Sequence, residues 1–396
     1  MKKGWQTKNL GDLCDVVGGG TPPKDNPAFY SGDIPWATVR DMRQDVITET
    51  EFRITKDAVK SSATNIIPSG NVVIATRVGL GKVCLIAQDT AINQDLRGIV
   101  PHSDKTLVVR YLYWWLKSIA DVIVAEGTGA TVQGVKLPFV KSLQIPVPPL
   151  AEQQRIVGVL DEAFEGIATA KANAEKNLQN ARALFESHLQ SVFTQRGKGW
   201  VEKTLGELCT FSSGGTPSKG NSSYWQGEIP WVSGRDMKFT RLSDSALHIS
   251  RAAVDESATR MASAGTLLIL VRGMGLAHGA QIGELLVPCA FNQDIRGIHS
   301  KPGLLPRYLL FALRNGINSS DTVLSNAAHG TLKIDSNELQ KVMIPFPPLE
   351  QQGKIISTID ALSEETTRLA AIYQQKLAAL EALKKSLLHQ AFSGEL

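Results

Sequence analysis

The sequence is poor in the residues that metal centres and disulfide scaffolds require. Its four cysteines, Cys14, Cys84, Cys209 and Cys289, are widely separated and form no CxxC pair. Histidine occurs only seven times, without the spacing of a metal site. Isolated cysteines are typical of chains that stay reduced inside the cell. We therefore expect buried free thiols, no disulfide and no bound metal, in a cytoplasmic protein.

Long apolar runs and catalytic signatures are also missing. The longest apolar stretches, such as residues 267–271, have the length of a strand, whereas a membrane helix needs about 20 residues. The opening MKKGWQTKNL has two lysines but no apolar run behind them, so we expect no secretory signal. No GxSxG, HExxH, phosphate-loop or methyltransferase tetrapeptide occurs. We expect no membrane partner, no catalytic site and no cofactor in this chain.

The composition is that of an ordinary folded protein with a slight excess of positive charge. The 396 residues include 43% hydrophobic and 20% charged residues, with a net charge of +4 and a pI of about 8.7. This composition excludes wholesale disorder, and the length predicts two to four domains. A weakly basic chain is compatible with nucleic-acid binding, but its charge alone does not demonstrate it.

The most informative feature is an internal repeat with a period of about 195–199 residues. GWQTKNLGDLCDVVGGGTPPK from Gly4 returns as GWVEKTLGELCTFSSGGTPSK from Gly199. GDIPWATVRDM, AINQDLRGI and LQIPVPPLAEQQRI also recur, in the same order. Within each copy, Gly- and Pro-rich turns separate short apolar runs, and segments 111–120 and 307–315 are typical of helices. We predict two copies of a mixed α/β (α+β) module.

Each module is followed by a segment with a helical apolar rhythm and no proline. Apolar residues recur at alternating spacings of three and four, as in the a and d positions of a coiled coil. Proline pairs at 148–149 and 347–348 fit the start of a helix. The predicted core positions are Val157, Leu160, Phe164, Ile167, Leu178 and Phe185 in the first segment, and Ile355, Ile359, Leu362, Leu369, Leu380, Leu383 and Leu387 in the second.

Two arrangements would bury the apolar stripe of such helices. Each helix could pack on its own module, or the two could pack on each other, which the order of the chain makes antiparallel. A helix of this length is roughly 65 Å long, whereas a domain of 150 residues has a radius of about 15 Å. We therefore favour an antiparallel coiled coil of the two helices.

Basic residues on or beside glycine-rich loops are the candidates for contact with DNA. An arginine on such a loop can enter a groove, where bidentate pairing with guanine is the commonest specific contact. For the arginines of the two IPW…RD motifs, a structural salt bridge beside a packed indole is an equal alternative. The DNA-binding candidates are Lys24, Arg40, Arg77, Lys82, Lys219, Arg235 and Arg272.

The other shared motifs favour a structural role. GGGTPPK and SGGTPSK lack the pattern of a phosphate loop, so a tight turn with positive φ is preferred, and contact with a DNA phosphate remains open. NQDLRGI and NQDIRGI are nearly identical, whereas residues that read different bases should differ. We therefore predict a scaffolding role for Asn93, Gln94, Asn292 and Gln293.

At IPVPPLAEQQRI (145–156) and IPFPPLEQQGKI (344–355), the sequence resembles the DNA specificity subunit of type I restriction–modification systems, over essentially its whole length. The resemblance implies target-recognition domains at 1–149 and 199–348, and spacer helices at 150–198 and 349–396. It implies that the chain binds double-stranded DNA, two modification (methyltransferase) subunits and restriction/translocase subunits. S-adenosylmethionine, ATP and magnesium are then expected on those partners and not on this chain.

Two alternatives from other classes stay open. A purely structural coiled-coil scaffold would not need glycine-rich, arginine-bearing loops in each module. A duplicated carbohydrate- or protein-binding module on a coiled-coil scaffold would share the repeat. It would not explain the PPL–EQQ junctions, and its binding would not depend steeply on salt, as phosphate contacts do.

We predict that the purified chain alone transfers no methyl group and hydrolyses no ATP, because it has no motif for either cofactor. Incubation with tritiated S-adenosylmethionine and duplex DNA, and separately with ATP, checks this. Methyl transfer by the chain free of any partner subunit would contradict the prediction.

Overall fold

In a computed structural model, the described residues are 4–129, 134–195, 197–273, 276, 279–318, 324–326 and 332–396. The chain forms two compact units. Unit 1 comprises residues 1–176 and 373–396, and unit 2 comprises residues 177–372. The boundaries fall within the two long helices, so each unit holds one module and a part of both helices. The four-segment division at residues 149, 198 and 348 stays a prediction.

Unit 1 contains the first copy of the repeat. Its strands are β1 Gln6–Asn9, β2 Cys14–Gly18, β3 Ile34–Ala37, β4 Val46–Ile47, β5 Phe52–Ile54, β6 Asn65–Ile67, β7 Val72–Ala75, β8 Val83–Ile86, β9 Thr90–Ile92, β10 Leu96–Pro101 and β11 Gln144–Val147. Its helices are α1 Leu10–Leu13, α2 Lys56–Lys60, α3 Val109–Ser118, α4 Ala120–Ala125, α5 Leu137–Ser142 and the first part of α6 Leu150–Thr194. Single 3-10 turns lie at Pro27–Tyr30 and Val39–Asp41.

The strands of unit 1 form three sheets. The largest has the order β2-β10-β7-β8-β4, a second has the order β5-β3-β9-β6, and β1 pairs with β11. Strands β7 and β8 are buried at every position, which explains why their sequences are continuous apolar runs without alternation. Most ladders are antiparallel, but β3–β9 and β4–β8 are parallel. The sheets therefore combine parallel and antiparallel pairs, and with the helices they form the mixed α/β module that the sequence predicts.

Unit 2 contains the second copy. Its strands are β12 Val201–Thr204, β13 Cys209–Ser213, β14 Ile229–Val232, β15 Arg241–Leu242, β16 His248–Ile249, β17 Met261–Ala262, β18 Leu267–Leu270, β19 Ile282–Leu285, β20 Cys289–Phe291, β21 Ile295–Ser300, β22 Leu324–Asn326, β23 Leu332–Ile334 and β24 Met343–Phe346. Its helices are α7 Leu205–Leu208, α8 Arg251–Glu256, α9 Pro306–Asn318, α10 Ser336–Lys341 and the first part of α11 Leu349–Ser393, with 3-10 turns at Ser222–Trp225 and Asp236–Lys238.

The second module repeats the topology of the first. Its sheets have the orders β13-β21-β18-β19-β15 and β16-β14-β20-β17, and β12 pairs with β24. A short β22–β23 hairpin is the one addition among its described strands. Strand order and register therefore match position by position, which confirms the duplication inferred from the sequence.

A buried glutamine fastens the start of α6 to its module. The carboxamide oxygen of Gln153 accepts a hydrogen bond from the Val108 N–H at 2.9 Å. Its nitrogen donates to the carbonyls of Thr106 and Pro148, at 3.0 and 2.9 Å. Gln153 is fully buried, so one side chain satisfies two backbone groups just before α3 and one just before α6.

The same junction is built in unit 2. Gln352 accepts from the Leu305 N–H at 2.9 Å and donates to the carbonyls of Gly303 and Pro347. About two turns further along each long helix, an ion pair joins the helix to the same module: Arg110 with Asp161 at 2.7 Å and, in unit 2, Arg307 with Asp360 at 2.7 Å. The PPL–EQQ motif therefore attaches the start of each long helix to its module.

The end of α11 packs on the start of α6 within unit 1. Arg155 donates to the carbonyl of Leu396, Lys384 lies over the ring of Phe164, and Lys171 pairs with Glu381 at 2.8 Å. Residues further along α6 contact residues nearer the start of α11. The two helices therefore run antiparallel within unit 1, as predicted.

Both arrangements considered for burying the helices occur together. Leu160 near the start of α6, and Leu388 and Ala391 near the end of α11, belong to the same buried cluster as Tyr111 of module 1. In unit 2 the corresponding cluster contains Ile359 of α11 and Leu189 and Phe193 of α6. Each module therefore buries the start of one long helix and the end of the other.

Most predicted core positions of the helices face inward. Leu160 and Ile359 are buried, and half-buried positions are Val157, Phe164, Ile167, Leu178, Phe185, Ile355, Leu362, Leu369, Leu380 and Leu387. The prediction is wrong for Leu383, which is 47% exposed. The inward positions there are Leu380, Lys384, Leu387 and Ala391, because a straight helix has 3.6 residues per turn and drifts from the 3.5-residue repeat.

We predict that Gln153→Leu lowers the free energy of unfolding of unit 1 by about 3 kcal/mol, because three backbone groups lose their partner while the volume is kept. Urea denaturation of the full chain, followed by circular dichroism, measures this. The matched control is Gln154→Leu, one residue along the helix on its exposed side. Equal destabilisation by the two variants would contradict the prediction.

Candidate nucleic-acid interface

The glycine-rich loop of each module is a point of close backbone approach. A Cβ on Gly19 would lie 2.0 Å from the carbonyl oxygen of Asn93, and one on Gly20 would lie 2.5 Å from the carbonyl carbon of Ala63. Gly214 and Gly215 are as tightly enclosed. None of the four adopts a positive φ, so the predicted left-handed turn is wrong. Glycine is required here because no side chain fits between the strands.

The IPW tryptophan anchors this loop. Its indole nitrogen, at Trp36, donates to the carbonyl of Gly20 at 3.1 Å, and the hydroxyl of Thr64 donates to the same carbonyl at 2.7 Å. The N–H of Gly20 is bonded to the carbonyl of Ile92. In module 2, Trp231 donates to Gly215 at 3.0 Å. The N–H and C=O groups of Gly20 are thus both used within the module, so they are not free to bind a phosphate.

In the Arg-Asp pair after IPW, the aspartate is structural and the arginine is exposed. The Asp41 carboxylate accepts from the N–H groups of Thr38 and Glu51, at 2.7 and 2.8 Å. In module 2, Asp236 accepts from Ser233 and Ala246 in the same way. The aspartates hold the loop, and the neighbouring arginines are exposed. Arg40 makes a surface ion pair with Glu51 at 3.5 Å and no buried salt bridge.

The NQD motif joins the two loops. Asn93 accepts from the Asp95 N–H at 3.2 Å and donates to its carboxylate, and Asn292 does the same with Asp294. These bonds support the scaffolding role predicted for both asparagines. The carboxamide of Gln94 accepts from the Thr21 hydroxyl, and Gln293 accepts from Thr216. The glutamines therefore link the NQD loop to the glycine-rich loop.

These loops surround a cleft of about 550 Å³ in module 1. It is lined by Thr21, Lys24, Tyr30, Trp36, Thr38, Val39, Arg40, Phe52, Val78, Asn93, Gln94 and Asp95. Aromatic and aliphatic side chains form one wall, and amide, hydroxyl and charged groups form the rest. The lining residues come from five separate segments of the sequence.

The cleft gathers the four DNA-binding candidates of module 1. Lys24 and Arg40 line it, and half-exposed Arg77 pairs with the lining residue Asp95 at 3.5 Å. Lys82 lies at its edge, because a Cβ on Gly79 would meet both Lys82 and the lining residue Val39. The four side chains are spread over the sequence, and the fold brings them to one side of the module.

Arg97 is a fifth cation here that the sequence analysis missed. Its guanidinium donates to the carbonyls of Gln94 and Leu96, at 3.3 and 2.9 Å. Burial lowers the pKa of Arg97, and the positive charge of Arg77 lowers it further. Arg97 belongs to the NQDLRGI motif, whose repetition in module 2 favoured a purely structural role.

In module 2 the candidates Lys219, Arg235 and Arg272 are all exposed. Arg272 forms an isolated antiparallel bridge with Lys333. Residues 274–275 and 277–278 of the predicted GMGLAHG turn lie outside the described residues. The contacts of the described residues of unit 2 do not join these three side chains directly, but Lys219 and Arg235 stand on the same framework as Lys24 and Arg40.

The cysteines lie in the core and do not line this cleft. All four are buried and free, and burial raises the pKa of Cys14 and Cys209 to about 12 and that of Cys84 and Cys289 to about 11. Within the described ranges, His, Cys, Asp and Glu side chains form no cluster able to bind a metal ion. None of the helices described has the length and apolar character of a membrane span.

Solved structures share this fold. A chain from the structural study of complex assembly and conformational transition of the type I R-M system has a TM-score of 0.82 at 21% identity, over 100% of this chain and 99% of that one. The HsdS subunit from Thermoanaerobacter tengcongensis has a TM-score of 0.64 at 20% identity, over 100% and 98%.

Proteins of similar sequence are specificity subunits of type I restriction enzymes. The type I restriction enzyme EcoR124I/EcoR124II specificity subunit of Escherichia coli is 30% identical over 274 residues, which are 67% of this chain and 66% of that protein. The MjaIX specificity subunit of Methanocaldococcus jannaschii is 24% identical over 100% of this chain and 94% of that protein. The family model of the type I restriction modification DNA specificity domain matches residues 2–179 and 197–382. Both modules match it, and the chain belongs to the type I restriction–modification DNA specificity family.

Proposed function

We propose that each module reads one half of a bipartite double-stranded DNA target, and that the chain, without a catalytic site of its own, positions the enzymes that act there. The observation that carries this proposal is the set of cations around the cleft of module 1. The loops that present Lys24 and Arg40 recur in module 2 with Lys219 and Arg235, held by the same hydrogen bonds. A duplicated cationic surface is what a reader of two half-sites needs.

The chemistry of these cations suits both kinds of DNA contact. Exposed lysines and arginines neutralise phosphates and fix the position of the protein on the duplex. Among the described residues, the charged partner of Arg77 is Asp95 at 3.5 Å, and the Arg77 side chain in this pair is 50% exposed. The exposed guanidinium can therefore turn from Asp95 to the O6 and N7 atoms of a guanine, while Asp95 keeps its hydrogen bonds with Asn93.

We further propose that the chain works in the cytoplasm with two modification subunits and with restriction/translocase subunits. S-adenosylmethionine, ATP and magnesium would be bound by those partners. The small net charge of +4 supports this, because a chain with few excess cations relies on partners for part of its grip on DNA. Family membership does not favour the alternative of a carbohydrate- or protein-binding module.

Methylome sequencing of cells with and without the gene tests the proposal. We expect a bipartite motif with methylated adenine in both halves, which disappears with the gene. The two halves should be separated by unread bases that place them about one helical turn, ~34 Å, or a multiple of it apart. A contiguous motif, or an unchanged methylome, would contradict it.

We predict that Arg77→Ala and Arg272→Ala each weaken discrimination at one half-site by about 1–3 kcal/mol, because each removes a bidentate contact with a base. Competition binding of the complex to duplexes that carry single base changes in either half-site measures this. Arg251→Ala, which removes an exposed arginine of α8 paired with Asp255, is the control and should leave both half-sites unchanged. Uniform weakening across all sequences would make the arginines phosphate contacts instead.

A further inference from the structure

The cleft of module 1 has a polar part that both modules share and an apolar wall that they share only in part, because two of its three apolar side chains are replaced by glycine in module 2. Lys24, Arg40 and Gln94 in the polar part recur as Lys219, Arg235 and Gln293. The wall consists of Val39, Phe52 and Val78, whose counterparts in module 2 are Gly234, Leu247 and Gly273. The two modules stand on one framework, so the difference between what they read is expected where the side chains differ.

Two members of the wall are exposed although they are large and apolar. Val78 is 52% exposed and Phe52 is 39% exposed. Val78 follows Arg77 directly, in a loop where Gly79 and Gly81 adopt left-handed φ values of 72° and 82°. This loop carries an exposed apolar side chain next to Arg77, one of the cations of this surface.

Contacts with neighbouring residues hold two of the wall side chains, Phe52 and Val39, in place. The ring of Phe52 packs edge-on against Trp36 with centroids 6.2 Å apart, and Trp36 is itself buried and bonded to Gly20. Val39 fills the space beside Gly79, where an added Cβ would lie 2.7 Å from its methyl carbon. A preorganised contact surface loses little entropy when it binds.

The 5-methyl group of thymine is the one apolar feature of a base edge in the major groove, and phenylalanine and aliphatic side chains are its usual partners. We propose that Val39, Phe52 and Val78 recognise a thymine of the first half-site through this methyl group, and that the described residues of module 2, with glycine in place of both valines, do not form the same contact. The proposal rests on the proposed function, because it requires the cleft to face DNA.

Deoxyuridine tests it, since it removes the methyl group from thymine and changes nothing else. The full chain in complex with its modification subunits is titrated with duplexes that contain the mapped motif. Each thymine of the first half-site, identified as the half that responds to Arg77→Ala, is replaced singly. We expect one replacement to weaken binding about fourfold, as one buried methyl group predicts.

The wall variants Val39→Gly and Val78→Gly, which copy module 2, should bind the thymine and deoxyuridine duplexes equally. The ratio of the two affinities cancels any general weakening by the variants. The control Ile66→Ala removes a 41% exposed apolar side chain of β6 outside the cleft and should keep the fourfold ratio.

Three outcomes would overturn the inference while the proposed function stands. They are a first half-site without thymine, a set of replacements of which none alters binding, and a fourfold ratio that persists in both wall variants. The absence of any motif that the complex binds would instead reject the proposed function itself.

Discussion

A single buried carboxamide at the start of each long helix is the interaction on which the architecture depends. Gln153 and Gln352 each satisfy three backbone groups that would otherwise be unpaired in an apolar environment, at a cost of about 1–3 kcal/mol for each group. Because the bonds are directional, each glutamine fixes the helix relative to the module that precedes it. The Arg-Asp ion pairs lie about two turns further along each long helix and add a second point of attachment.

The conserved order of motifs within the two modules has a common physical basis. Gly19 and Gly20 allow two backbones to meet, Trp36 fixes the loop they form, and Asp41 closes the loop that follows. None of these groups needs to touch a ligand. They hold the positions from which Lys24, Arg40 and the apolar wall project, so a module can change what it reads while its framework stays the same.

The sequence predicted the large features of the fold and missed those that depend on distant contacts. The repeat and the helical periodicity predicted two α/β modules and two antiparallel helices, because both patterns are local. Glutamine near a helix start is normally exposed, so nothing local distinguishes buried Gln153 from exposed Gln154. Arg97 was missed for a similar reason, since its motif is shared by both modules.

The errors also have physical causes. A glycine cluster is compatible both with a left-handed turn and with close backbone approach, and only the position of Asn93 opposite Gly19 distinguishes the two. Leu383 fits a heptad counted along the chain, but the helix there packs on a module and not only on another helix. The cleft could not be predicted at all, because its lining comes from five segments that meet only in the folded module.

The composition of unit 1 has a consequence for the order in which the protein folds on the ribosome. Unit 2 is one uninterrupted stretch, residues 177–372, whereas unit 1 needs residues 373–396 as well as 1–176. Leu388 and Ala391 are buried in its core, and Phe392 packs against Tyr111. These residues emerge roughly 10–40 s after residue 176, at a synthesis rate of about 5–20 residues per second. Module 1 is therefore the first to be made and the last to be completed, and its apolar face stays open throughout the synthesis of module 2.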